Sequence, residues 1–211
     1  MNQHHIKLYN FDLDLESIKK DARRINTKVT REYKHIEENN LYSKDTSYNS
    51  TLTEQLSNAP LSSKLHDYYN VFTYPYSTIP PILATIVGVF KEQCRYPHQY
   101  CVHGWLNYQS KGESIPWHHH WQNLSGLEGC YIGTYYVNAE SSITTYKFDN
   151  GYTESRQNIN NTFTLYEDVG DIHMVDTWQH DEPRISISMD FVPIQYIQGM
   201  KYIPNTWMPV I

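Results

Sequence analysis

From Cys101 to Pro193 the chain breaks into short runs of β-branched and aromatic residues punctuated by Gly, Asn and Asp. That punctuation constrains the fold more than any other feature. The runs are Cys101–Gln109, Tyr131–Val137, Ser142–Phe148, Thr162–Tyr166, Asp171–Thr177 and Arg184–Pro193. Such side chains suit a pleated backbone, and the residues between them supply turns. Many short strands with no internal repeat and no linker predict a mainly β jelly-roll or cupin-like barrel. The last run alternates strictly, so it reads as a half-buried strand with Arg184, Ser186, Ser188 and Asp190 on one face.

The first hundred residues are mixed. Leu13, Ile18, Ala22 and Ile25 recur at helical spacing and predict an amphipathic helix near Asp14 to Arg24. Pro80-Pro81 followed by Ile82-Leu83-Ala84-Thr85-Ile86-Val87 predicts a proline-initiated second helix packed across a sheet. Residues 38–60, rich in Asn, Ser and Thr, read as a loop. A chain of 211 residues fits one domain: a helical and mixed support over 1–100, a barrel core over 101–193 and a C-terminal extension over 194–211.

A formal charge of −6 without a clustered basic run disfavours nucleic acid as a partner. Cys94, Cys101 and Cys130 form no C-x-x-C pair and leave an odd count, which argues for a reducing compartment. The N-terminal residues carry no apolar signal core, and no apolar run approaches the roughly 18 to 20 residues of a membrane span. A cytoplasmic protein is the expectation. Nineteen tyrosines read as strand and barrel-wall residues.

The chemistry concentrates in Trp117-His118-His119-His120 and, sixty residues later, His180-Asp181-Glu182-Pro183-Arg184. In an extended segment His118 and His120 share one side, while His119 and Trp121 take the other. Two imidazoles on one side, with His180 as a distant third ligand, have the makings of a non-haem Fe(II) facial site that leaves positions open for O₂ and an organic acid. Arg184 on the alternating strand needs a partner once buried, and its planar fork suits a carboxylate bidentately. A dicarboxylate such as 2-oxoglutarate supplies one, with Ser186, Asn107 and Tyr135 as further donors to it. Trp117, Trp121 and Trp178 flank the ligands and are expected to wall a substrate pocket. The remaining histidines, His173 among them, read as structural.

Taken together, Trp105-Leu106-Asn107-Tyr108-Gln109-Ser110-Lys111-Gly112, His118-His119-His120, Gly133-Thr134-Tyr135-Tyr136-Val137 and Arg184-Ile185-Ser186-Ile187-Ser188 resemble a group of 2-oxoglutarate/Fe(II) oxygenases from phage and marine bacteria. The resemblance covers about residues 101–193 and implies a double-stranded β-helix that hydroxylates a small-molecule, amino-acid or peptide substrate and releases succinate and CO₂. Two departures stand out. The stretch from His120 to Gly133 is longer than the group's pattern, and His120 occupies the place where the wider superfamily usually has a carboxylate. The third ligand is therefore either His120 or a carboxylate recruited from Asp176, Asp181 or Glu128. Two other functions fit the same residues: a cupin-type dioxygenase in which three histidines hold iron and the substrate chelates it directly, and a non-enzymatic jelly-roll binding module.

Overall fold

The computed structural model describes residues 6–39, 58–120, 128–148, 150–168, 170–198 and 206–210. Its ten strands form two antiparallel sheets: β1 (Lys7–Asn10), β7 (Thr162–Glu167), β4 (Tyr131–Asn138), β9 (Arg184–Pro193), β2 (Tyr100–Gln109) and β10 (Met208–Val210) in that order in one, and β3 (Ile115–His118), β8 (Ile172–Val175), β5 (Ile143–Lys147) and β6 (Thr153–Gln157) in the other. Together they make a double-stranded β-helix. Both ends of the chain are drawn into the larger sheet, β1 beside β7 and β10 beside β2. The edge strands β1 and β6 lack the apolar run that marks the central strands of the larger sheet, because an edge strand buries little; β6 tolerates Glu154 and Arg156 there.

β9 lies at the centre of the larger sheet, paired with β2 along its whole length and with β4. Every one of its ten residues is buried, whereas alternation alone predicts a half-buried strand. The difference has a simple origin: the sheet is covered on both faces. Ile185, Ile187, Met189 and Phe191 face the helices, and Arg184, Ser186, Ser188 and Asp190 face the smaller sheet.

Helix α1 (Leu15–Glu32) starts where Asp14 caps it, its Oδ1 accepting from the Ser17 amide at 3.2 Å. It runs eight residues past the expected Arg24 because the apolar stripe Ile18, Ala22, Ile25 continues to Val29. Short helices α2 (Lys34–Glu38) and α3 (Leu61–Lys64) follow. Helix α4 (Ile79–Gln93), entered through Pro80 and Pro81, buries Ile82, Ile86 and Phe90. Phe90 stacks on Phe191 of β9 with centroids 4.1 Å apart. Each fully buried Ile or Phe contributes on the order of 1.5–3 kcal/mol, so this apolar layer anchors the sheet. Close approach also explains Gly133: a Cβ there would lie 2.6 Å from the Phe163 ring. Helix α5 (Ile194–Gln198) closes the end of β9. Among the described residues no helix is long and apolar enough to cross a membrane.

Candidate metal centre

The gap between the two sheets is polar and holds three histidines. β3 and β8 pair antiparallel with His118 opposite His173, and His120 follows two residues beyond the end of β3. Ring centroids are 5.3 Å apart for His118 and His120, 4.2 Å for His118 and His173, and 5.0 Å for His120 and His173. One ring nitrogen from each lies within 4.8 Å of the others. Two nitrogens bound to one ion at about 2.1 Å stand at most about 4.2 Å apart, so a small inward movement brings all three onto a single metal.

Hydrogen bonds select which nitrogen faces inward. His118 Nδ1 lies 2.9 Å from the Pro116 carbonyl, His120 Nδ1 lies 2.6 Å from Asp190 Oδ1, and His173 Nδ1 lies 3.2 Å from the Tyr166 hydroxyl. A carbonyl and a carboxylate can only accept, so His118 and His120 carry their protons on Nδ1 and present the Nε2 lone pair. The Nε2 of His120 is buried with no hydrogen-bond partner among the described residues. An orphaned imidazole lone pair beside two other imidazoles fits a divalent transition metal of the iron or zinc kind.

Charge follows the same arrangement. Burial and the neighbouring His120 push His118 down to about 3, and burial with His118 and His120 holds His173 well below the ordinary imidazole value. Both are neutral and ready to ligate at physiological pH. Burial works against a charged His120 as well, but the Asp190 carboxylate outweighs it and raises that imidazole.

Arg184 lines the same cavity as His118 and His173. It is 1 % exposed, and burial pushes its guanidinium below the ordinary value. Its Nε donates to Ser142 Oγ at 2.9 Å and its Nη1 to Ser186 Oγ at 3.1 Å, while the Tyr136 ring lies 6.0 Å from Cζ. Among the described residues no carboxylate lies within ion-pair distance of it. A buried charge without a counter-charge is costly, and this one faces a cavity.

The other residues expected at the site divide. Ser186 and Asn107 line the cavity, Asn107 donating to Ser188 Oγ at 2.8 Å and accepting from Ser63 Oγ at 2.6 Å. His180 does not join the histidine group: it is exposed in the connection from β8 to β9 against Trp178, 4.6 Å between centroids. His173 is the third histidine of the group instead. Tyr135 points to the helix side of β4, fully buried beside Phe11 and bonded to Asn161 Oδ1 at 2.8 Å, so the cavity receives Tyr136 instead. Asp176 turns away to accept from the Ile143 amide at 2.9 Å, and Asp181 is exposed and paired with Lys111 at 2.8 Å. Glu128 is exposed as well, so among the described residues no carboxylate joins the three imidazoles. Trp117 is half-buried on β3 and Trp178 donates to the Glu182 carbonyl; neither lines the cavity. Trp105 does, 5.4 Å from the His120 ring. Trp121 lies outside the described residues, as does most of the 38–60 loop.

The residues that sequence reasoning passed over are His173, Asp190, Tyr136 and Tyr166. For His173 a signal existed: in Ile172-His173-Met174-Val175 alternation sets it on the same face as Val175, which lines the cavity.

No family model matches the chain, and no curated protein is similar to it in sequence. Solved structures do share its fold. A Trichoplax adhaerens prolyl hydroxylase in complex with a hypoxia inducible factor peptide fragment is 12 % identical, with a TM-score of 0.51 over 92 % of this chain and 86 % of that one. A Pseudomonas putida prolyl-4-hydroxylase is 9 % identical, with a TM-score of 0.50 over 90 % of this chain and 94 % of that one. A 2OG-Fe(II) oxygenase family oxidoreductase from Burkholderia pseudomallei is 14 % identical with a TM-score of 0.47, and the match spans 57 % of this chain and 59 % of its own. At such identities the likeness to the two hydroxylases shows the fold alone.

Proposed function

We propose that this chain is a non-haem Fe(II)- and 2-oxoglutarate-dependent oxygenase that hydroxylates a small-molecule, amino-acid or peptide substrate. The observation that carries the reading is the fully buried Arg184, without a carboxylate at ion-pair distance among the described residues, lining the same cavity as His118 and His173. A cation buried beside a set of metal-ready imidazoles asks for a ligand that bears a carboxylate and reaches the metal. A 2-oxo dicarboxylate has both ends.

His118, His120 and His173 would hold the iron from one side, leaving its remaining positions to ligands arriving from the cavity. Arg184 would pair with the far carboxylate of the oxo acid, and Ser186 would orient the guanidinium through its 3.1 Å bond. Tyr136 on the same wall takes the part expected of Tyr135. Ile115, Val175 and Trp105 give the cavity an apolar side that limits water around the reacting centre. Iron, when bound, supplies the oxygen chemistry: one atom of O₂ enters the substrate as hydroxyl, the other enters succinate, and the oxo acid loses CO₂.

Anaerobic titration of the Fe(II)-loaded protein with 2-oxoglutarate tests the proposal. The expected result is the weak visible charge-transfer band of an Fe(II) oxo-acid chelate, needing at least tenfold more oxo acid in Arg184→Gln. A loaded protein that develops no band at saturating oxo acid refutes it. The all-histidine donor set favours one second reading, in which the substrate chelates the metal and its own carboxylate or phosphonate pairs with Arg184. Iron binding without any oxo-acid binding would select that reading.

A further inference from the structure

We infer that Asp190 is a positioning residue that acts through His120, returning to the metal centre the negative charge that a directly coordinating carboxylate would supply. The inference rests on the oxygenase reading above and deepens it.

Three neutral imidazoles leave a divalent ion with its full charge, whereas a carboxylate ligand would cancel part of it. Here a carboxylate lies one hydrogen bond further out. Asp190 Oδ1 is 2.6 Å from His120 Nδ1, and both side chains are at least nine-tenths buried. The carboxylate fixes the tautomer and the ring plane, so Nε2, buried without a hydrogen-bond partner among the described residues, is the atom left to donate to a metal. A short charge-assisted bond also draws the Nδ1 proton toward Asp190, which makes Nε2 a stronger donor.

Position in the fold makes the pairing rigid. Asp190 lies on central strand β9, paired with His103 of β2 on one side and Ile132 of β4 on the other. It shares its face of β9 with Arg184, six residues away and so about 20 Å along the strand. One strand thus carries both the cation for the oxo acid and the counter-charge for the metal. His120 itself lies beyond the end of β3, where no ladder holds it, and Asp190 supplies that hold.

The test compares wild type with Asp190→Asn, which keeps an acceptor for the Nδ1 proton and removes the charge. Cobalt(II) binding, followed by its visible spectrum, should weaken 10- to 100-fold. The Fe(III)/Fe(II) potential should move positive, because Fe(III) loses more stabilisation than Fe(II). An unaltered affinity and potential in a variant that melts like wild type overturns the inference alone. A wild-type protein that binds no divalent ion overturns the oxygenase reading, and this inference with it. Should Asp190→Asn not fold, proton NMR of the zinc-loaded wild type with ¹⁵N-labelled histidine decides: a strongly deshielded His120 Nδ1 proton is expected, and its absence overturns the inference.

Discussion

His118 and His173 are Cα partners in the β3–β8 ladder, and their rings meet edge-on with centroids 4.2 Å apart. Cross-strand pairing thus sets two of the three donors before any ion arrives. The first prediction separates His173 from His180. His173→Ala should lower cobalt(II) affinity by at least 100-fold, and His180→Ala, an exposed substitution, should leave it within twofold of wild type. Isothermal titration on the two variants checks this, and the reverse order would refute the ligand set proposed here.

That pair also shows where the sequence was legible and where it was not. Strict alternation in Arg184–Phe191 placed the guanidinium and Ser186 on one face, and the strand forms with those parities. The H-x-H spacing likewise brought His118 and His120 together, although β3 ends at His118. Proximity to Arg184 in the chain favoured His180 as the distal histidine, whereas the structure brings His173 to His118 and His120. His180 lies among Gln179, Asp181, Glu182 and Pro183, a turn composition, while His173 lies on a strand that crosses to the other sheet. Tyr135 and Tyr136 are chemically identical neighbours, so composition cannot fix their parity; only the packing of Gly133 and Tyr135 against Phe163 and Phe11 does. Asp190 carried the right parity but no local motif, since its partner is 70 residues away.

Arg184 supplies the second prediction. Arg184→Gln should retain metal affinity within threefold while losing oxo-acid affinity, because the guanidinium lines the cavity without belonging to the imidazole group. Arg184→Lys should recover only part of that loss: an ammonium keeps the charge but not the planar fork. Removing a buried cation that has no carboxylate partner among the described residues should also raise the melting temperature of the unliganded protein. Differential scanning calorimetry without ligand and a thermal shift with 2-oxoglutarate read the two effects separately.

The two adjacent tyrosines should behave differently. Tyr135→Phe removes the 2.8 Å bond to half-buried Asn161, costing about 0.5–1.5 kcal/mol of stability with no change in ligand affinity. Tyr136→Phe should weaken oxo-acid binding at nearly unchanged stability, since its ring lies 6.0 Å from the Arg184 guanidinium on the cavity wall. Denaturant melts paired with oxo-acid titrations distinguish them. Equal effects of the two on binding would contradict the parity of β4.

Tyr166 offers a finer test of the metal centre. Its hydroxyl lies 3.2 Å from His173 Nδ1, and Tyr166→Phe removes that partner while conserving ring volume. Losing a partner that orients a ligand typically costs about 10- to 100-fold in metal affinity. The longer, uncharged contact puts the expectation at the lower end, about tenfold for cobalt(II). His173→Ala combined with Tyr166→Phe should then be no worse than His173→Ala alone, because the tyrosine acts only through that ring. A double-mutant cycle showing additive losses would mean that Tyr166 touches the site by another route.

Acid should unfold the metal-free protein through its buried neutral imidazoles. His103 is pushed down to about 4 by burial first and by neighbouring His66 second, with Asp190 and the 2.9 Å bond to the His66 carbonyl opposing. In the unfolded chain the same imidazole titrates near 6.5. Above that value both states are neutral and stability is insensitive to this group. As pH falls from about 6.5 toward 4 the unfolded chain takes up a proton that the folded one refuses, so stability declines across that window and levels off below it. His103 alone should remove about 2 kcal/mol between pH 7 and pH 5, and the depressed His118 and His173 act in the same direction. Urea melts at the two pH values, repeated for His103→Gln in the presence of a chelator, measure the share. The variant should show a shallower decline by about that amount, and an identical pH slope would mean that His103 is protonated in the folded protein after all.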